Sequence, residues 1–249
     1  MNDELFSRNS LYWGDENQRI LATKHVAVFG LGGVGGFCAE TLARAGVGNL
    51  TIVDFDKVSV SNVNRQIIAL NSTVGVQKTE LFVKRLKDIN PEINLNVVDD
   101  FYTNNNEIIR NCDYVADAID TMRSKINLLV SCYENKIPVI SSMGAGNRID
   151  PTKLYIADLK NIENKNTPFV SNVIYQLKKN NITEGITFVC SRETPFSQEK
   201  ISEHEKITTK NGENIEFNKI IPSSTPFVAS CSGIFMASYI VQKFIGIKK

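Results

Sequence analysis

No two of the five cysteines in this 249-residue chain are spaced as C-x-x-C, and only two histidines stand beside them. That spacing excludes the usual thiol-ligated zinc module. The odd, scattered set (Cys38, Cys112, Cys132, Cys190, Cys231) fits reduced, packed thiols of a cytoplasmic protein better than a disulfide frame. An excess of either charge is also missing: 28 Lys plus Arg face 27 Asp plus Glu, so no whole-chain field draws in nucleic acid, a membrane or an acidic partner. An RNA partner would have to be held by a local patch, for which Lys178, Lys179, Arg192 and Lys210 are the candidates, each by default a solvated surface charge. Met1–Ser10 carries charges and no apolar core, which argues against a secretory signal. Ile220–Gln242 has no charge, but its two prolines and its Ser, Thr and Gly residues argue for a buried helix after a loop rather than a membrane span. Repeats and low-complexity tracts are absent too.

What is present is a regular alternation. Between His25 and Gly146, short apolar runs alternate with helical patterns, the signature of a doubly wound, mainly parallel α/β sheet of Rossmann-like type. Strands are expected at His25–Gly30, Asn49–Asp54, Asn94–Val98, Tyr114–Ile119 and Pro138–Ser142. Helices are expected through Cys38, Leu42 and Ala45, over Val76–Ile89, near Asn105–Asn111 and over Arg123–Asn135. From Ile149 the pattern loosens into a Lys- and Asn-rich stretch (Lys160–Asn181), a β-like run (Gly185–Cys190) and a charged segment around Gln198–Gly212. No long flexible linker precedes it, so 1–249 reads as one domain: a nucleotide-binding core over 1–148 and a C-terminal elaboration over 149–249, with a helix Phe235–Ile245 packing back on the core.

The first strand ends in Gly30-Leu-Gly32-Gly33-Val-Gly35, followed by a helix. Glycines there let backbone N–H groups approach phosphate oxygens while the helix amino terminus adds a favourable dipole. This G-x-G-x-x-G spacing does not by itself separate NAD from ATP. Asp54, ending the second strand, is placed to accept from ribose hydroxyls in either case. The residues that follow separate the two. Asp56, Asn62, Arg65 and Gln66, with Lys78 opening the next helix, put phosphate-seeking cations where a dehydrogenase needs none and where displacement at a nucleoside triphosphate needs charge neutralised. Asp117 and Asp120 in DAID sit at the carboxyl end of a further strand, and one of them is the natural ligand for magnesium, which prefers one or two carboxylates plus phosphate oxygens.

GLGGVGG, IVDFDKVSVSNVNRQI, TVGVQK, INPE and DAIDTMRSK, in this order, resemble the ThiF-like, ubiquitin-activating-type adenylating enzymes. SRNSLYWGDE, RQIIALNSTVG, SSMGAGNRIDPTK and FVCSRETP extend the likeness to the tRNA threonylcarbamoyladenosine dehydratases within that superfamily. The resemblance implies that a threonyl carboxylate beside the tRNA anticodon attacks the ATP α-phosphate, and that ring closure then expels AMP, a net ATP-driven loss of water. It implies Asp54 as ribose ligand, Asn62, Arg65 and Lys78 as triphosphate ligands, Asp120 as the magnesium-proximal acid, and Arg8 as an arginine reaching the neighbouring subunit's phosphates in a homodimer. A sulfur-transfer partner is compatible with it.

The nearest rival is adenylation of the carboxyl terminus of a ubiquitin-like or sulfur-carrier protein, whose enzymes usually carry two C-x-x-C pairs. A non-catalytic adaptor of the same fold and an NAD dehydrogenase are the others. Cys190 follows the β-like run ITFV and reads as packed rather than as a thioester cysteine. His25 and His204 read as structural and solvated, respectively.

Overall fold

His25–Phe29 (HVAVF) forms β1, and four of its five residues are buried. Val26 and Val28 join one apolar cluster and Ala27 and Phe29 the other, so the strand is covered on both faces. That double burial is why it reads as an unbroken apolar run, as strands of parallel sheets do. The computed structural model describes residues 4–196, 201–209, 212 and 214–246.

β1 lies central in a seven-stranded sheet with β2 (Asn49–Val53), β3 (Asn94–Val98), β4 (Tyr114–Asp117), β5 (Val139–Ser142), β6 (Leu154–Asp158) and β7 (Thr187–Ser191). The order is β3-β2-β1-β4-β5-β7-β6; every neighbouring pair is parallel except β6 with β7. Strand order reverses between β1 and β4, and the crevice outside the carboxyl ends of strands at such a switch point is where open α/β sheets bind ligands. The predicted α/β, doubly wound, mainly parallel class is the observed one.

On one face α2 (Gly35–Ala45) and α3 (Lys78–Ile89) pack through Leu42, Phe82 and Leu86; on the other α4 (Met122–Glu134) and α5 (Pro168–Lys179) pack through Leu128, Leu129, Val173 and Leu177. α6 (Pro226–Phe244) lies against α2 and is the one described helix long and apolar enough to cross a membrane. Its Val228, Met236, Ala237 and Ile240 are buried inside the protein. A Cβ on Gly233 would stand 2.1 Å from the Val34 carbonyl oxygen, so that glycine lets α6 touch the start of α2. α6 begins nine residues before the predicted Phe235, with Pro226 in its first turn, where a missing N–H costs nothing.

Three further expectations need correction. The helix expected near Asn105–Asn111 is only a single 3-10 turn, Asn106–Ile108, because asparagines there satisfy local backbone groups and Asn105 caps the turn by accepting from the Glu107 amide. The Lys/Asn-rich stretch holds α5, whose Val170, Val173 and Leu177 form a buried stripe. The charged segment near Gln198–Gly212 contains β8 (Ile201–Thr208), which pairs antiparallel with β9 (Asn214–Ile221) as a hairpin. An amino-terminal helix, α1 (Ser7–Thr23), bends at Gly14, whose φ is +83°.

Candidate functional site

The turn after β1 is built by two glycines with different tasks. Gly30 has φ +82°, a conformation a side chain resists, and a Cβ on it would lie 2.9 Å from the Ala118 carbonyl oxygen. A Cβ on Gly35 would lie 1.7 Å from the Gly30 carbonyl oxygen, so Gly35 serves the close packing of loop on helix rather than the crevice lining. Gly32 and Gly33 do line the crevice. α2 then starts with neither an acidic residue nor a capping side chain, so no side-chain charge offsets the positive end of its dipole, an end suited to an anion.

The crevice at this end of the sheet encloses about 450 Å³. Asp54 enters it from the end of β2 and is nearly buried. Its two oxygens accept from the Leu31 amide at 2.5 Å and the Asp56 amide at 2.8 Å, which leaves lone pairs for hydroxyl donors. Burial pushes its carboxyl above the ordinary range, with Lys78 pulling the other way. Lys78, at the start of α3, is buried, with Nζ 2.8 Å from Asp56 and 3.9 Å from Asp54. Asn62 closes its own 3-10 turn by accepting from the Ser59 amide. Arg65 donates to the Ser61 carbonyl and to Asn64; burial lowers its pKa while Asp120 favours its charge. Gln66 lies beside it with a buried Oε1 that meets no hydrogen-bond partner among the described residues.

Residue type and spacing left Asp117 and Asp120 both open, with only the family resemblance favouring Asp120, and the structure gives the two different surroundings. Asp117 is wholly buried and ion-paired to Lys125 at 2.5 Å, whereas Asp120 is exposed and lines the crevice. Gly30, Gly32, Gly33, Asp54, Asp56, Asn62, Arg65, Gln66, Lys78 and Asp120 therefore share one crevice, while Gly35 and Arg8 do not line it. Arg8 is exposed on α1.

Sequence reasoning missed several lining residues. Ser124, in the first turn of α4, has a buried hydroxyl with no hydrogen-bond partner among the described residues. Phe101 and Tyr102 close the β3 side; Gly146, from the SSMGAGNRIDPTK stretch, and Pro222 and Ser224, from a segment that carries no motif, close the opposite wall. Ser124 was within reach of inspection, because it lies inside the DAIDTMRSK motif and one helical turn past Asp120.

The crevice fits a nucleoside triphosphate on three grounds: a glycine cradle that side chains would block, cationic residues that include Arg65 and Lys78, and buried polar atoms on Gln66 and Ser124 that meet no hydrogen-bond partner among the described residues. Among the described residues no three His, Cys, Asp or Glu converge as a metal cage, so magnesium here would need phosphate oxygens beside Asp120. Cys190 is buried, and that burial pushes its thiol up to about 12, as for a packed residue rather than a reactive thiolate. His25 bridges the Asn111 carbonyl and the Thr51 hydroxyl. Of the basic surface candidates, Arg192 is paired in bidentate fashion with Glu163, Lys179 lies over the Tyr175 ring, and Lys210 falls outside the described residues.

The ThiF family model matches residues 6–246. The tRNA threonylcarbamoyladenosine dehydratase of Bacillus subtilis is 41% identical over 244 residues, covering 96% of this chain and 94% of that protein. The crystal structure of Escherichia coli tRNA N6-threonylcarbamoyladenosine dehydratase in complex with ATP superposes with a TM-score of 0.84 at 31% identity, covering 98% of this chain and 95% of that one. A molybdopterin-synthase adenylyltransferase of Salmonella typhimurium is 40% identical, but over only 54% of this chain.

Proposed function

The chain belongs to the ThiF family, and from that premise we propose that its crevice binds ATP with magnesium and adenylates the threonyl carboxylate of threonylcarbamoyladenosine in tRNA. The enzyme is an ATP-dependent tRNA threonylcarbamoyladenosine dehydratase, similar along nearly its whole length to proteins of that name. The observation that carries the reading is the meeting of the glycine turn, Arg65, Lys78 and Asp120 in one crevice, with Asp117 withdrawn from it.

The substrate carboxylate is already ionised, so no protein nucleophile has to be activated. The work is positioning and charge stabilisation. The glycine turn and the start of α2 receive phosphate oxygens on backbone N–H groups. Asp54 accepts from the ribose hydroxyls, and Asn62 and Gln66 fill out the polar lining. Asp56 holds the Lys78 ammonium before the triphosphate arrives. Lys78 and Arg65 offset charge on the phosphoryl oxygens as pyrophosphate leaves. Asp120 would hold magnesium, which would supply further neutralisation of charge on the leaving pyrophosphate. Attack of the carboxylate oxygen on the α-phosphorus releases pyrophosphate; ring closure within the modification then releases AMP.

Arg8 enters this scheme from a second subunit. It stands exposed away from its own crevice, which supports a homodimer in which each α1 serves the partner's phosphates. Residues 1–148 form the ATP-binding part of a single domain and 149–249 its elaboration. The enzyme works in the cytoplasm, where its tRNA is, and a sulfur-transfer protein is a candidate partner.

Nucleoside mass spectrometry of tRNA treated with enzyme and ATP tests the reading: one water is lost from threonylcarbamoyladenosine. Unchanged nucleoside alongside AMP formation on a carrier protein's carboxyl terminus would overturn it. For Arg8, an Arg8→Ala subunit mixed with an Asp120→Ala subunit is expected to recover activity, and no recovery would remove the trans-acting arginine.

A further inference from the structure

Asp117 and Lys125 form an ion pair whose two side chains are both wholly buried, with Nζ 2.5 Å from Oδ2. Ser141 completes the set: its hydroxyl donates to the same Oδ2 at 2.6 Å and accepts from Nζ at 3.0 Å. The other Asp117 oxygen accepts from the Ile119 amide at 3.0 Å. The end of β4, the first turns of α4 and the middle of β5 are thereby joined at one point. None of the three residues lines the crevice, yet the backbone on either side of them does: Ala118–Thr121 and Ser124 on one strand-to-helix junction, Ala145 and Gly146 beyond β5.

Stability does not require such a pair. Desolvating two charges costs about as much as their attraction returns, and apolar replacements of similar volume are often no less stable. What the pair supplies is direction. Asp120 lies three residues after Asp117 and five before Lys125, so one buried contact anchors both ends of the turn that carries it. The same turn is fixed at its start, where the Ala118 amide donates to the Phe29 carbonyl at 2.8 Å and the Ala118 carbonyl abuts Gly30.

We propose that Lys125 is a positioning residue for adenylation: through Asp117 and Ser141 it fixes the Ala118–Thr121 turn, and so holds the Asp120 carboxylate in the crevice with Arg65 and the glycine loop. The proposal rests on the assignment of Asp120 to the reaction.

The double variant Asp117→Asn/Lys125→Met removes both charges at nearly constant volume. With its melting temperature and its ATP Kd, measured without tRNA, close to those of the parent, its kcat for AMP formation should fall about 10- to 100-fold, the scale of a small misplacement of a reacting group. A structural role alone would also lower activity, so the deciding readout is a cycle with Asp120→Asn followed in single turnover. If Lys125 acts through Asp120, the double change costs little more once Asp120 is already Asn; full additivity overturns the proposal. A folded double variant with parental kcat overturns it as well. Should that variant fail to fold, Ser141→Ala, which trims one hydroxyl from the network, replaces it in the same cycle, and an additive or absent effect is again decisive against. The Asp120→Asn single variant, compared with the parent, tests the functional reading by itself, so the two failures are distinguishable.

Discussion

The two halves of this chain reach the crevice by different means. From His25 to Gly146 the chain brings groups whose chemical type the proposed reaction dictates: the glycine turn proposed for phosphates, Asp54 proposed for the ribose, the cations Arg65 and Lys78, and Asp120. From Ile149 onward it brings position. Pro222, Ser224 and Ala229 form wall, and Gly233 lets α6 press on the start of α2. Residues of the first kind are replaceable by almost nothing, whereas those of the second kind are replaceable by anything of the right shape. The following outcomes would break that contrast or sharpen it.

The largest effect is expected at Asp120. It is exposed and lines the crevice, so Asp120→Ala should leave the melting temperature unchanged and reduce AMP formation by about a thousandfold or more, the scale of losing a group that acts on developing charge. Parental turnover in that variant would show that the first half does not hold the chemistry. Lys78→Ala should come next, and it should not be silent in stability. Removing the buried ammonium leaves Asp54 and Asp56 uncompensated, a loss of about 1–3 kcal/mol in urea unfolding besides the loss of AMP formation. The pH dependence has a definite sign. The Asp54 carboxyl is raised above its ordinary 3.8 mainly by burial, so the ligand-free protein loses stability from this group as pH rises through the folded value. Without Lys78 that value climbs further, and the deficit of the variant should grow as pH rises from the ordinary 3.8 through the raised folded value.

Gly233→Ala probes the other half. The added methyl meets the Val34 carbonyl oxygen and the Cys38 amide, both backbone and neither able to swing away. Overpacking of this kind costs about 1–3 kcal/mol. Because Val34 is the cap of α2, ATP affinity should weaken as well, with kcat at saturating ATP little changed. Loss of kcat at unchanged affinity would mean that α6 does more than support the loop.

The same contrast explains what could be read in advance. β1, β2 and β4 are buried along nearly their whole length, so they read as mainly apolar runs, and the glycine turn follows β1 where strand gives way to helix. Asp54, Arg65, Lys78 and Asp120 stand out because each residue type is tied to a chemical task. Residue type and spacing by themselves did not separate Asp117 from Asp120, which only the family resemblance favoured, since the contacts that bury Asp117 come from Lys125 and from Ser141 on another strand, and sequence spacing does not report burial. α1 escaped notice because its larger apolar residues fall in two clumps, Leu11, Tyr12 and Trp13 before the bend at Gly14 and Ile20 and Leu21 after it, and only Gln18 and Leu21 are buried on it. α5 does carry a stripe at helical spacing, Phe169, Val170, Val173, Ile174 and Leu177, and the lysines and asparagines around it obscured that pattern. β6 lies at the sheet edge, with one buried residue of its five, and its place is set by pairing with β7 rather than by a pattern of its own.

The smallest effect belongs to a charge in the first half that does not serve the crevice, and for that reason it bounds the contrast. Glu40 on α2 accepts from Arg44 at 2.8 Å and from Arg85 of α3 at 2.5 Å, tying the two helices that carry the glycine turn and Lys78. Burial pushes its carboxyl up, but the hydrogen bonds and charges of Arg85 and Arg44 outweigh it and hold the group below its ordinary 4.5. An acid depressed in the folded state contributes stability that is present above that ordinary value and lost as pH falls through the folded one. Glu40→Gln should therefore cost about 1 kcal/mol at neutral pH, the lower end for a charge-assisted pair open to solvent on the arginine side, and the difference from the parent should shrink as the medium is acidified. AMP formation and ATP Kd should stay within about twofold of the parent at neutral pH, since surface-facing ion pairs contribute little to groups they do not touch. If ATP affinity instead fell with Glu40→Gln as far as with Gly233→Ala, the α2–α3 layer would belong with the supports of the loop, and the division between chemistry and position would run through the first half rather than between the two.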